Sequence, residues 1–449
     1  MNRVATKTIL ALLLAVGAAF LQGQPVWTQG AGVILDPVNV PGLDKPVRVI
    51  RGQFSSDVTL TNQYHYVLRG AVFFQRGATL TVQPGTRVVG EFATLGTLII
   101  DKGARIMAIG TPDQPIVFTS DQPIGQRNRG DWGGMIINGE ATINVPGGVA
   151  FGEGDTGQYG GTNDDDDSGV LQYVRVEYGG IEFSPDNELN GIAFQAVGRG
   201  TTVNYVQVVM NRDDCMEFFG GTVDVKHVIL TACGDDSLDW TFGWRGRVQF
   251  AVIHQRADDA DNGFEADNNG TSNDLLPRSA PTVYNATLIG DPDDNEGRES
   301  DDGMLIREGT AGTFRNFIVM GFKEYGINVD QSATQVQLAS GALTFANGII
   351  FNNGLISGRT NLDSAAAPIA GMPNILVGGS NDPGLVNPYD HYNPDYRPSS
   401  TASLAMTLTP ATPPNDGFFE IAPYIGAFMP GDAGNWMAGG WTDFNYDRP

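Results

Sequence analysis

Short apolar runs alternate with polar residues along most of this chain, and an acidic phrase recurs between them. Its copies begin at Asp213, Asp235, Asp261 and Asp301, and each leads into an apolar residue. The first two copies are 22 residues apart, and the third follows 26 residues later. A period in the twenties is typical of solenoids, in which each repeat adds one coil to a shared core.

The alternation within each copy predicts which side chains face the core. Two positions of the repeat, two residues apart, are apolar in every copy. They hold Ile192, Met216, Leu238, Phe264, Met304 and Ile327, and then Phe194, Phe218, Trp240, Ala266, Ile306 and Val329. Side chains two apart share one face of a strand, so both positions are predicted to point inward. The position between them then points outward; it holds Ala193, Glu217, Asp239, Glu265, Leu305 and Asn328.

The same pattern predicts an all-β chain. Residues 78–88 are echoed by residues 96–106, and both runs alternate apolar and polar residues around a Gly turn. Such runs are typical of strands joined by tight turns, and none of them shows a sustained helical period. The content of 59 Gly and 25 Pro suits a protein with many turns.

The chain divides into four predicted segments. Residues 1–23 form a signal peptide, because Arg3 and Lys7 precede an apolar stretch at 8–20 that is short for a membrane span. An uncleaved anchor is the alternative. Residues 24–46 form an irregular lead-in, 47–358 the solenoid and 359–449 a loop-rich aromatic cap packed on it. The mature protein is therefore expected to be secreted, as a periplasmic, cell-surface or extracellular protein without an integral membrane span.

Charge and cysteine content restrict the partners and the compartment. A net charge of −24 disfavours nucleic acid and anionic lipid as partners. The only cysteines are Cys215 and Cys233, one beside a copy of the acidic phrase and one just before the next. In an exported chain they are candidates for a disulfide, and two small buried residues are the alternative.

Acids stacked in register on successive coils, about 4.8 Å apart, repel one another and favour a cation, protonation or solvation. Calcium suits a cluster of oxygen ligands, and a solvated acidic face is the alternative. The candidate ligands are Asp213, Asp214, Asp235, Asp236, Asp239, Asp261, Asp301 and Asp302. A catalytic interpretation uses Glu217, Asp239 and Glu265 as acid and base on a glycosidic bond.

Several phrases carry a family resemblance. They are Gly130-Asp131-Trp132-Gly133-Gly134, Phe218-Phe219-Gly220-Gly221-Thr222, residues 234–240, and the aromatic tail with Trp436 and Trp441. With the coil length near 22, the chain resembles the right-handed parallel β-helix of pectate-lyase-like proteins. More narrowly, it resembles a group of exported bacterial β-helix proteins that carries no established activity. The resemblance implies a single right-handed parallel β-helix solenoid with an irregular C-terminal cap.

The sequence therefore predicts an exported structural or binding protein, stabilised by calcium and adhesive or self-assembling into filaments. Its expected partners are polysaccharide, a cell-surface matrix or further copies of itself. The alternative is a polysaccharide lyase or glycoside hydrolase that acts through the acidic face.

Overall fold

The chain folds as a right-handed parallel β-helix. The structure is a computed structural model, and it describes residues 32–35, 40, 42–184, 187–292, 300–354 and 359–446. The predicted signal peptide lies outside the described residues. Of the strands, 24 belong to one hydrogen-bonded sheet that winds around the core.

The strands of the first half are short and separated by turns. In chain order they are β1 (Gly32–Leu35), β2 (Val47–Phe54), β3 (Val58–Leu60), β4 (His65–Phe74), β5 (Thr79–Val82), β6 (Arg87–Gly90), β7 (Thr97–Ile100), β8 (Arg105–Ile109), β9 (Ile116–Ser120), β10 (Met135–Asn138), β11 (Ala150–Phe151), β12 (Gln158–Tyr159), β13 (Gly169–Glu177), β14 (Glu182–Ser184) and β15 (Asn187–Glu188).

The second half alternates short and long strands. They are β16 (Ile192–Gln195), β17 (Thr202–Val209), β18 (Met216–Phe219), β19 (Asp224–Thr231), β20 (Leu238–Thr241), β21 (Arg247–His254), β22 (Phe264–Ala266), β23 (Thr282–Ile289), β24 (Met304–Ile306), β25 (Gly312–Met320), β26 (Ile327–Val329), β27 (Leu343–Phe351), β28 (Ile375–Val377), β29 (Leu385–Asn387) and β30 (Asp395–Pro398). The α-helices are α1 (Ser332–Ser340) and α2 (Leu404–Thr407), and 3-10 turns span Phe92–Thr94, Glu153–Asp155, Ala367–Gly371 and Asp432–Gly434.

Three parallel ladders form the walls of the solenoid. The first ladder runs β2–β4–β7–β10–β16–β18–β20–β22–β24–β26. The second runs β3–β5–β8 and continues through the first halves of the long strands β13 to β27. The third runs β2–β4–β6–β9, continues through the second halves of the same long strands and ends at β28.

Each long strand bends between the second and third ladders at one residue in the left-handed conformation. These corner residues are Tyr173, Tyr205, His227, Phe250, Asn285, Asn316 and Asn347, with φ between 50° and 60°. Asn tolerates this conformation, but it is strained for Tyr, His and Phe, and ring stacking offsets part of that cost at the aromatic corners. The rings of Tyr173 and Tyr205 stack at 4.5 Å, and those of Tyr205 and His227 at 4.3 Å.

The core confirms the predicted inward faces. Every residue of the two apolar repeat positions is buried in a single cluster that runs the length of the solenoid. Trp240 and Trp244 are fully buried in it, and the ring of Trp244 stacks on that of Phe218 at 4.2 Å. Burying these apolar side chains is the dominant stabilising contribution to the fold.

The end of the core is closed by a helix that was not predicted and by the first part of the predicted cap segment. Leu338 of α1 joins the core cluster, together with Leu362, Ala366 and Ile369 from the segment before β28. No helix was predicted at residues 332–340. The helix buries Leu338 and Thr334, and Thr334 Oγ1 accepts a hydrogen bond from Gly309 N–H at 2.9 Å, so tertiary contacts rather than a helical period hold it in place.

The aromatic tail, residues 404–446, does not cap the end of the solenoid as the sequence pattern suggested. It packs along the outer face of the third ladder instead, where Ile425, Phe428 and Trp441 are buried. The cause is an apolar row on that face, which water would otherwise contact. The row consists of Ile229, Val252, Ile318 and Ile349.

The predicted lead-in contains a strand. β1 pairs antiparallel with β2, with Gly32 opposite Arg51 and Leu35 opposite Arg48. This pairing covers the otherwise open edge of the first coil. No helix within the described ranges is long and apolar enough to cross a bilayer.

Candidate metal centre

The acidic row lies on the outer face of the first ladder in the predicted register. Glu217 is directly opposite Asp239, and Asp239 is opposite Glu265. The row is bounded by Ala193 on one side and Leu305 on the other. Three carboxylates are therefore stacked on three successive coils.

The row is not the solvated face that outward-pointing side chains suggest. Glu217 is 8% exposed and Asp239 is 9% exposed. An insertion at residues 140–168 folds back over the first ladder. Tyr159 is 2% exposed, and its ring centroid is 6.0 Å from that of Phe219. Outward from the core thus does not mean exposed here, because a second apolar cluster lies between the ladder and the insertion.

The turn before each strand carries a second row of Asp and Asn side chains. Asp214 Oδ1 accepts a hydrogen bond from the backbone N–H of Asp236 at 2.9 Å. Asp236 Oδ1 accepts one from Asn262 N–H at 2.6 Å, and Asp302 Oδ1 one from Tyr325 N–H at 2.8 Å. Each side chain thus holds the turn of the next coil, which is a common role of Asp and Asn in turns.

Three groups of carboxylates converge between these rows. They are Asp213 with Asp214 and Asp235, Asp214 with Glu217 and Asp239, and Asp235 with Asp236 and Asp261. In each group one oxygen of every member lies within 4.8 Å of the others. Because Asp214 and Asp235 are each shared between groups, the three form one continuous acidic centre.

Burial and mutual repulsion raise the pKa of the acids in this centre. Burial first, and then the charge of Asp235, raise the pKa of Asp213 to about 8. Burial and the neighbouring Asp261 raise the pKa of Asp235 to about 6. The pKa values of Asp214, Glu217 and Asp239 are raised as well, in each case mainly by burial. The protein therefore disfavours the charged form of the whole group.

Positive side chains neutralise only the downstream edge of the centre. Arg307 pairs with Glu265 and also donates to Asp267 Oδ1 at 2.8 Å, and Lys323 donates to Asp301 at 2.8 Å. Within the described part of the chain, no Lys, Arg or His lies within ion-pairing distance of the upstream acids. These are Asp213, Asp214, Glu217, Asp235, Asp236 and Asp239.

Two buried oxygens in the centre lack a donor among the described residues. Asp239 Oδ1 accepts no hydrogen bond from the described residues. Beside it, Glu217 Oε2 accepts a hydrogen bond from Asn190 Nδ2 at 2.6 Å, and Asn190 Oδ1 is also buried without a donor. A carboxylate oxygen and an amide oxygen without donors are the kind of ligands that a hard cation binds.

A disulfide lies directly under the acidic turns. It joins Cys215, which follows Asp214, to Cys233 on the next coil, with Cα atoms 5.6 Å apart. Both cysteines are buried in the core. The bond therefore ties together the two coils that supply most of the convergent acids.

A family model described as a pectate-lyase-like β-helix domain matches residues 52–368. The chain belongs to the pectate-lyase-like β-helix family. Among solved structures, this β-helix is similar to the periplasmic alginate epimerase AlgG, with 11% identity and a TM-score of 0.27. That match covers 74% of this chain and 78% of AlgG. No curated protein matches the chain significantly.

The predicted ligands do not all meet in this pectate-lyase-like β-helix. Asp301 and Asp302 lie further along the solenoid. There Lys323 donates a hydrogen bond to Asp301, and Asn328 donates one to Asp302. Glu265 is held by Arg307. Two members of the centre were missed by the sequence reasoning. Asn190 occupies the same repeat position as Asp214, so the repeat alignment contained a signal for it.

The second missed residue is Glu153, which the sequence could not have placed. It lies in the insertion that covers the first ladder, and its charge contributes to raising the pKa of Glu217. Burial and the nearby Glu188 raise its own pKa to about 7. No repeat or spacing connects residue 153 to residue 217.

Proposed function

We propose that this chain is an exported β-helix protein, stabilised by calcium at the acidic centre, that acts as a structural or binding protein outside the cytoplasm. Its proposed partner is a polysaccharide or a polysaccharide-containing surface matrix. The observation that carries the calcium proposal is the convergence of buried acids around Asp214 and Asp239 without a neighbouring cation.

Electrostatics makes a bound cation the better of the two ways to hold this cluster at neutral pH. Two carboxylates 4 Å apart repel by about 4 kcal/mol at an effective dielectric constant of 20. Protonation also removes that repulsion and lets one carboxyl donate to its neighbour, but keeping one acid protonated at pH 7 costs about 4 kcal/mol. A divalent cation removes the repulsion without that cost and binds oxygens such as Asp239 Oδ1.

The donor set favours calcium over magnesium and over transition metals. The candidate ligands of one ion are carboxylate oxygens of Asp214, Glu217 and Asp239, and the amide oxygen of Asn190, which bonds to Glu217 through Nδ2, lies on the same side. Calcium accepts six to eight oxygens in irregular geometry, whereas magnesium requires a near-ideal octahedron and retains water. The group contains no His or thiolate of the kind that zinc prefers.

Metal analysis and calorimetry test the proposal directly. The purified protein is treated with a chelator, dialysed and titrated with calcium and with magnesium at pH 7.5. We expect calcium to bind in the micromolar range or tighter and to raise the melting temperature, and magnesium to bind more weakly. Absence of calcium binding, with a melting temperature that the chelator leaves unchanged, would rule out the metal centre.

A matched pair of variants separates the site from the overall charge. Asp214→Asn retains the oxygen that accepts from Asp236 N–H but removes one negative charge from the centre. Asp165→Asn removes the same charge from an exposed position in the covering insertion, where Asp165 lies 3.7 Å from Arg199. We expect only Asp214→Asn to weaken calcium binding, by at least about tenfold.

Polysaccharide cleavage is the second candidate function. Glu217 and Asp239 are close enough, and the pKa of each is raised enough, to act as a protonated acid beside a base. Both side chains are nevertheless about nine-tenths buried, so a sugar could reach them only if the 140–168 insertion moved. New reducing ends or unsaturated uronates from a polysaccharide panel would support cleavage. Retention of glycan without cleavage would support the binding role.

Self-assembly into filaments is proposed only through the sides of the solenoid. α1 and the segment before β28 cover the C-terminal end of the core, so strand-to-strand stacking is blocked at that end. Sedimentation velocity over a range of concentrations distinguishes the outcomes. Concentration-dependent growth supports assembly, and a single monomeric species at high concentration contradicts it.

A further inference from the structure

A cleft of about 440 Å³ lies on the outer face of the third ladder at its first coils. The aromatic tail covers this face from Arg175 onward and ends at the edge of the cleft, where Gly439 approaches Pro112. The lining includes Lys45, Thr86, Arg87, Arg175 and Gly440. The volume is within the range of small-molecule sites. The cleft is on a different wall of the solenoid from the acidic centre.

The cleft concentrates positive charge in a protein whose net charge is −24. Arg87 is in register with Val117, and Val117 with Arg175, so the two guanidinium groups are two coils apart on the same face. Arg175 donates to Glu177 Oε1 at 2.8 Å and to Gly440 O at 3.3 Å. Arg127 also lies 4.0 Å from Glu177, so this one carboxylate already serves two arginines.

Arg87 is the cation in the cleft that has no bonded partner among the described residues. Among the described residues, no carboxylate lies within ion-pairing distance of it and no acceptor bonds to it. The nearby Asp44 is engaged by His65 Nε2 at 2.7 Å, and Asp113 on the rim is exposed. Burial, and then repulsion from Arg127 and Arg175, oppose the attraction of Glu177 and lower the pKa of Arg87. A half-buried guanidinium without a partner is a costly arrangement unless a ligand completes it.

A second cation lines the same cleft. Lys45 Nζ donates to Asn62 O at 2.9 Å and to Gly85 O at 3.4 Å. An ammonium has three N–H donors, so one remains for a ligand after these two carbonyls. The cleft therefore presents a guanidinium and an ammonium.

We propose that this cleft binds an oxyanion group, namely a carboxylate, sulfate or phosphate, with Arg87 as the principal ligand. The planar guanidinium presents paired N–H donors that match two oxygens of such a group. Partial burial strengthens the attraction compared with an exposed arginine. The oxyanion supplies the bonded anion that Arg87 lacks among the described residues.

Calorimetric titration with three probes tests the proposal: sodium sulfate, sodium phosphate and sodium glucuronate, all at constant ionic strength. Wild-type protein is expected to bind at least one of them at a single site. Preference for sulfate or phosphate identifies the ligand as an inorganic ion or an ester of one, and preference for glucuronate identifies a sugar carboxylate. Failure of all three to bind overturns the proposal, whatever the result of the calcium experiment.

Two variants locate the binding and separate it from folding. Arg87→Gln is expected to weaken binding by at least about tenfold, and Arg87→Lys by less, because it retains the charge but loses the paired donors. Arg105→Gln, which removes a solvent-exposed arginine paired with Asp167, is the control and is expected to bind as the wild type does. Without ligand, Arg87→Gln is expected to melt no lower than the wild type. Equal affinity of Arg87→Gln and wild type, or a large loss of stability without ligand, overturns the assignment.

Discussion

The sharpest prediction concerns Asp239→Asn, which is expected to change stability in opposite directions with and without calcium. Asp239 lies between Glu217 and Glu265 in the row and shares the acidic centre with Asp214. Without metal, the substitution removes a charge that its neighbours repel and supplies an N–H donor to one of them. With metal, it removes a ligand.

The magnitude follows from the geometry. At the 4.8 Å limit of this group, two ionised carboxylates repel by about 3.5 kcal/mol at an effective dielectric constant of 20. Protonating one of the two carboxylates removes the repulsion, and at pH 7 this costs about 4 kcal/mol. The destabilisation caused by the repulsion therefore cannot exceed about that value. We expect metal-free Asp239→Asn to be more stable than metal-free wild type by about 2–4 kcal/mol at pH 7. For a chain of this length, that is a rise in melting temperature of about 2–5 °C.

The pH dependence has a definite sign. The pKa of Asp239 is raised in the folded protein, so its contribution to stability is fully present below the unfolded pKa near 4 and is lost as pH rises through the folded pKa. The pKa values of about 8 for Asp213 and Glu265 extend this loss toward pH 8. Metal-free wild type and Asp239→Asn are therefore expected to melt together near pH 4 and to diverge as pH rises to 8.

Differential scanning calorimetry with chelator, and then with excess calcium, measures both effects. Calcium at a hundred times its dissociation constant adds about 2.7 kcal/mol to the wild type. We expect it to add much less to Asp239→Asn, so that the order of melting temperatures reverses. Asp165→Asn serves as the control for overall charge. The reasoning is refuted if Asp239→Asn destabilises the metal-free protein equally at pH 5 and pH 8, since the carboxylate would then act as a structural hydrogen-bond acceptor.

Three further predictions concern the scaffold. Replacing Cys215 and Cys233 together by Ala is expected to cost about 3 kcal/mol in chemical denaturation, because the bond closes a short loop between adjacent coils. Trp240→Ala is expected to cost about 3–5 kcal/mol in the same assay, because it opens a cavity in the core; a loss below 1 kcal/mol would contradict the packing. The ring of His254 stacks on that of His391 at 4.2 Å, and burial and then the charge of His391 lower the pKa of His254. The stabilising contribution of neutral His254 is therefore complete above its unfolded pKa near 6.5 and is lost as the pH falls. Limited proteolysis is expected to cleave the tail faster at pH 5 than at pH 7.5, and His254→Gln is expected to remove that difference.

The parts of the fold that the sequence predicted are those that repeat from coil to coil. Alternation with a period of two assigned Met216 and Phe218 to the core, and the register of the phrase aligned Glu217 with Asp239. Both follow from short-range geometry, since a parallel ladder places equivalent residues of successive coils side by side. The helix at α1 and the strand at β1 were not predicted, because contacts with the core and with a sheet edge hold them rather than a pattern in their own sequence.

The sequence by itself determined the solenoid, its inward rows and the stacking of acids on one face of it. Only the tertiary structure decided that this face is covered, because the ring contact of Tyr159 with Phe219 and the charge of Glu153 near Glu217 bring together residues far apart in the chain. The same holds for Arg87, because only the folded chain shows that Asp44 pairs with His65 and Glu177 with Arg175. A repeat determines the register between neighbouring coils. The packing of insertions and tails depends instead on surface complementarity, which does not follow from the repeat period.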